Sequence, residues 1–206
     1  MSSDSTPPLA IIGDTQRTSR LEKTLLRREQ NDLEREQLLR HLFQTDFDLF
    51  VHLGDMVANG SSAQEWREFD RLFSPVFTKG ITFLPLMGNH EYWGNQQKMF
   101  SHFTTRFPWL DKNRWHARVH RNLGLIVIDS NVAKYSKADW AQQAVWFKNT
   151  LQNMDQDSNV RAILVFSHHP PFTNSAIINP SVSRFISRPP FHPVVGRTGD
   201  TCGAGE

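Results

Sequence analysis

Four short stretches place chemistry-bearing side chains directly after apolar runs. They are residues 9–14 (LAIIGD), Gly54-Asp55 in VHLGDMVANG, Gly88-Asn89-His90-Glu91 in LPLMGNHEYW, and Ser167-His168-His169-Pro170 in ILVFSHHPPF. Each apolar run reads as a buried strand. An Asp, Asn or His just beyond such a strand lies in the loop at its C-terminal end, where open α/β sheets gather their ligands. The donors are carboxylate and amide oxygens and imidazole nitrogens, which suit hard or borderline divalent cations. One such run would say little. Four in sequence point to a metal site assembled from separate loops.

In this order (an early aspartate motif, then GD, then GNHE, then a histidine in an H-x-P loop) the chain resembles the calcineurin-like metallophosphoesterases, from about residue 9 to about residue 175. The resemblance implies an α/β fold, a two-sheet sandwich flanked by helices. It implies a metal-dependent phosphoric-ester hydrolase, acting on phosphomonoesters or phosphodiesters through a metal-activated hydroxide. Two divalent ions are the family's nominal complement, and two ions about 3.5–4 Å apart can both activate water and hold phosphate oxygens.

By that resemblance Asp55 is the bridging carboxylate, Asp14 belongs to the first metal, and Asn89 and His168 belong to the second. Gln16 stands where the family's D-x-H motif has histidine, and its carbonyl oxygen would be a weaker ligand than imidazole. His90 is expected to act as the acid at the leaving oxygen, with Glu91 as an orienting partner. Asn131 and His169 are candidates for the substrate side, although such residues are also common in turns and packing. Ala58 occupies the position, three residues after the bridging aspartate, where purple acid phosphatases carry a metal-binding tyrosine; that subclass is set aside. The donor set suits Mn, Fe, Zn or Ni and does not choose among them.

The family's G-H-x-H motif does not occur. The chain is therefore expected to be C-terminally truncated relative to the family, with an incomplete second sheet and closer to one bound metal than two. Its competing reading is a non-catalytic fragment that binds one metal or none. A nucleic-acid module is disfavoured, because a net charge of +2 is too small to argue for one. Neither a phosphate-binding glycine loop nor a G-x-S-x-G elbow is present.

The chain has 206 residues, 38% of them hydrophobic, enough for one domain with a sizeable core. Its single cysteine, Cys202, cannot form an internal disulfide, and no apolar run approaches a membrane span. A cytoplasmic protein is expected, acting on a small-molecule or macromolecular phosphoester, without specific nucleic-acid or membrane partners.

The elements that must position the ligands follow from periodicity. Strands are expected at 9–12, 48–53, 81–87 and 160–166, with a hairpin of 115–119 and 123–129 around Arg121-Asn122. Helices are expected at 19–43, 62–73, 96–107 and 137–153. In the first of these, Leu21, Leu25, Leu33, Leu38, Leu39 and Leu42 should form an apolar stripe. Trp109, Trp115, Trp140 and Trp146 are read as core, and His52, His116 and His120 as packing or surface groups. Residues 1–8 are read as a flexible tail, 9–179 as the phosphoesterase domain, and 180–206 as an irregular or disordered tail.

Overall fold

The computed structural model describes residues 7–18, 24, 31–134 and 136–170. Three parallel strands, β1 (Leu9–Ile12), β2 (Leu49–His52) and β3 (Thr82–Pro85), form one sheet in that order. Helix α1 (Asp32–Leu42) follows β1, α2 (Ala63–Thr78) follows β2, and α3 (Gln96–Arg106) follows β3. The second sheet pairs β4 (His116–His120) antiparallel with β5 (Leu123–Val127), and β5 parallel with β6 (Ala162–Phe166). Helix α4 (Lys137–Gln156) crosses between β5 and β6. The change from parallel to antiparallel pairing falls where the hairpin pattern begins.

Side-chain alternation along the strands sorts the core into layers. Phe50 and Phe83 face α1–α3, where they stack on each other at 5.4 Å and meet Phe69, Phe73 and Trp66. Leu49, Val51, Leu84 and Leu86 face the opposite way and pack on Leu125, Val127 and Phe166 of the second sheet. Ile126 and Ile128 bury the far side of that sheet under Phe147 and Met154 of α4. Among the described residues no helix is long and apolar enough to cross a membrane.

Three expectations need correction. Helix α2 does not stop at Phe73 but continues through Pro75 to Thr78. Proline at position 75 offers no N–H to the Arg71 carbonyl, and the Ser74 hydroxyl donates to that oxygen instead, at 3.0 Å. In α1, Leu33 and Leu38 are exposed. The inward face is formed by Arg35 and Leu39, one turn apart, and the Arg35 guanidinium donates to the Thr15 carbonyl at 3.2 Å. An arginine thus occupies a position that an apolar stripe would have claimed. Trp109 is 53% exposed rather than core. Expectations for residues 1–6, for most of 19–30 and for 171–206 lie outside the described residues.

Candidate metal centre

Pairing of β1 with β2 runs on past the strands and sets the first two aspartates side by side. Leu53 N–H donates to Ile12 O, Asp14 N–H to Gly54 O, and Gln16 N–H to Asp55 O, at 2.7, 3.0 and 2.9 Å. Asp14 and Asp55 both adopt left-handed backbone, with φ of 55° and 54°. Aspartate tolerates this conformation better than most side chains, but it is strained and marks functional loops. The GD loop also lies directly against the GNHE loop. A Cβ on Gly54 would sit 2.5 Å from Gly88 N, and one on Gly88 would sit 2.1 Å from Asp55 Oδ1. Both positions need glycine for close approach, and Gly54, at φ 95°, needs it for conformation as well.

Glu91 locks these two loops together. Its buried carboxylate accepts four backbone N–H bonds, from Asp55 (2.8 Å), Met56 (2.7 Å), Val57 (3.2 Å) and Gly88 (2.6 Å). Burial, and then the neighbouring Asp55 carboxylate, push its pKa up to about 8, while the N–H donors pull it down. Both oxygens act only as acceptors in these bonds, the pattern of the ionised group. Asp55 is raised as well, chiefly by burial, with His168 and the His90 N–H pulling the other way.

Asp14, Asp55 and His168 each offer a ligand atom, and these atoms lie within 4.8 Å of one another. His168 donates Nδ1–H to the Leu53 carbonyl at 2.9 Å, since a carbonyl can only accept, and so turns Nε2 into the site. That Nε2 lies 3.1 Å from Asn89 Oδ1 and 3.5 Å from Asp55 Oδ2. With neutral His168, lone pairs on nitrogen, amide oxygen and carboxylate oxygen converge with no hydrogen between them, an arrangement that a cation relieves. The donor chemistry therefore fits a divalent metal. Gln16 Nε2 approaches Asp55 Oδ2 at 3.5 Å, and its Oε1 is buried without a hydrogen-bond partner.

His90 lies on the other side of Asp55. Its N–H donates to Asp55 Oδ1 at 2.9 Å, its Nδ1–H donates to the Ala58 carbonyl at 3.0 Å, and its Nε2 is 3.9 Å from Asp55 Oδ2. Its free nitrogen thus faces the site without occupying the ligand cluster. The two substrate-side candidates are both held by hydrogen bonds next to the site. The Asn131 amide donates to Met87 O and Asp129 Oδ1, at 3.0 and 2.8 Å, tying the β5 loop to the β3 loop. His169 Nδ1 bonds the Ser130 hydroxyl at 2.8 Å, and burial, then the charge of His168, lower its pKa to about 4.

Among the supporting residues, Tyr92 and Trp93 are not singled out by the sequence, and His52 reads there as a packing or surface group. Tyr92 hydrogen-bonds buried Asp129, linking the GNHE loop to the end of β5. His52 is fully buried; Gly54 N–H donates to its Nδ1 at 3.2 Å, so its Nε2–H donates to the Thr15 hydroxyl at 2.8 Å. Trp93 lies flat on His90, with ring centroids 3.8 Å apart. The H-E-Y-W run carried a cue only in its proximity to His90.

A family profile for calcineurin-like phosphoesterase matches residues 7–194. The chain belongs to that family. A purple acid phosphatase from yellow lupin (Lupinus luteus) seeds is similar in fold, with TM-score 0.50 and 14% identity; the match covers 76% of this chain and 29% of the lupin chain. A dimetal phosphatase from Danio rerio is also similar, with TM-score 0.56 and 16% identity, over 80% of this chain and 70% of the fish chain. At such identities these likenesses speak for the fold alone. A search of curated protein sequences finds no match.

Proposed function

We propose that the chain hydrolyses phosphoric esters at the convergence of Asp14, Asp55, Asn89 and His168. The observation behind this reading is the ligand-atom cluster within 4.8 Å, with His90 set beside it rather than in it. A bound divalent cation would supply Lewis-acid polarisation of a phosphoryl oxygen and an acidified water. The chain's own residues do the rest. Asp55 presents Oδ2 to the site while Oδ1 holds the His90 backbone, so one side chain fixes both the ligand cluster and the acid. His168 is kept in the tautomer that leaves Nε2 free by its bond to Leu53 O. His90, anchored through Nδ1–H, can carry a proton on Nε2 to the departing oxygen.

The donor count favours one firmly held ion over two. Three charged or imidazole ligands meet here among the described residues, and the Gln16 amide turns its nitrogen toward Asp55. The second reading, a metal-binding protein without turnover, rests on that count. Metal content of the purified chain, measured with p-nitrophenyl phosphate and bis-p-nitrophenyl phosphate turnover with and without Mn²⁺, separates the two. Metal-dependent turnover of either ester is expected. A stably loaded chain inert toward both would leave the second reading standing.

A further inference from the structure

We infer that Trp93 forms a flat platform for the leaving group, so that the site favours phosphoesters of planar, aromatic or heteroaromatic alcohols. This rests on the hydrolase reading above and adds a substrate class to it. The indole lies against the His90 imidazole at 3.8 Å with 28° between the planes. Trp93 nonetheless stays 40% exposed, although the tyrosine beside it is buried. A large aromatic residue left open beside the acid, and not drawn into the core, offers a surface to something arriving from solvent.

Backbone hydrogen bonds hold the segment that carries the indole. Trp93 N–H donates to His90 O at 3.1 Å, and Trp93 O accepts from Ser61 N–H at 3.2 Å. Trp93 therefore moves with the loop that carries the acid. In the reaction, water oxygen forms the new bond to phosphorus and releases one proton to solvent. The bond from phosphorus to the alcohol oxygen breaks, the Nε2 proton of His90 goes to that oxygen, and His90 takes a proton back from solvent. The group attached to the departing oxygen emerges beside His90, and so beside Trp93. Stacking of a planar group on an aromatic side chain is worth about fivefold or more in affinity.

The test compares phenylphosphonate with n-butylphosphonate, non-hydrolysable probes with flat and flexible groups of similar apolarity, on the Mn²⁺-loaded chain by calorimetry. Wild type should bind the phenyl compound at least about fivefold tighter; Trp93→Leu should abolish the preference and Trp93→Phe should keep part of it. The ratio of kcat/KM for phenyl phosphate over n-butyl phosphate should fall in parallel. Equal affinities in wild type, no measurable binding of either probe, or a preference unchanged in Trp93→Leu would each overturn the platform. Phosphonate preference without turnover of either ester would defeat the hydrolase reading and leave the platform intact. Turnover without preference would do the reverse.

Discussion

The two sheets contribute to one site but are built to different standards. In the first, central β2 is fully buried, with an aromatic cluster on one face and the second sheet on the other. It delivers Asp55 and, through its neighbours, Asp14 and Asn89, on loops tied by backbone hydrogen bonds and the Glu91 carboxylate. In the second sheet, β6 delivers His168 from a strand whose Leu164 and Val165 are 36% and 46% exposed. That histidine is oriented chiefly by one bond to a carbonyl of the other sheet. Rigidity at this centre is thus concentrated in the first sheet, and the mixed second sheet lends a ligand.

Metal retention tests this asymmetry most strongly. Asp55→Ala should reduce bound metal to near zero. His90→Ala should keep it bound and slow turnover by about 10²–10⁴-fold, the usual worth of an acid catalyst. Elemental analysis of both purified variants decides the matter; metal lost from His90→Ala, or retained by Asp55→Ala, would reverse the roles.

Core truncations should differ between the halves. Phe73→Ala, under the parallel sheet, is expected to cost about 3–5 kcal/mol, and Leu164→Ala on β6 about 1 kcal/mol or less. Denaturant midpoints give both numbers, and equal losses would show the halves to be equally packed.

Glu91→Gln should cost about 3 kcal/mol, because an amide NH₂ replaces an oxygen that accepts two buried N–H bonds. A melting curve indistinguishable from wild type would mean that the loops are held by something else.

A pH dependence is expected as well. Burial, then the charge of His168, lower His52 from 6.5 to about 3, so the unfolded chain takes up a proton that the folded chain refuses. Its contribution is intact above about 6.5 and is lost as pH falls toward 3, by about 2 kcal/mol at pH 5. His116 and His169 are lowered too, so His52→Gln should make the stability loss between pH 7 and pH 5 shallower without abolishing it. Parallel denaturation curves for the two proteins across that range would remove His52 from the account.

What was readable in the sequence was local. Each ligand-bearing loop follows an apolar run, and each described strand lies within a few residues of where its period placed it. Helix α1, by contrast, begins at Asp32 after a non-helical Asn31, inside the span 19–43 expected as one helix, and α2 runs five residues past its expected end. The site's support was not readable, because it depends on pairings between residues far apart in the chain. Glu91 reaches back 34 to 36 positions for three of its N–H donors, and Tyr92 reaches forward 37 to Asp129. Arg35 defeated the stripe expected in α1 because its partner, the Thr15 carbonyl, is a backbone group that no pattern of side chains marks. β6 reads as all-apolar and therefore buried, yet apolar content does not say how many layers cover a strand.

The left-handed backbone at Asp14 and Asp55 has an evolutionary consequence. Both positions hold a conformation that glycine or asparagine adopts more cheaply. A library screened for thermal resistance alone should therefore accumulate those residues at position 14, whose exposed side chain contributes little else to the fold. Melting temperature would climb while the ligand cluster dissolved, so any stabilisation campaign on this chain needs a counter-screen for bound metal.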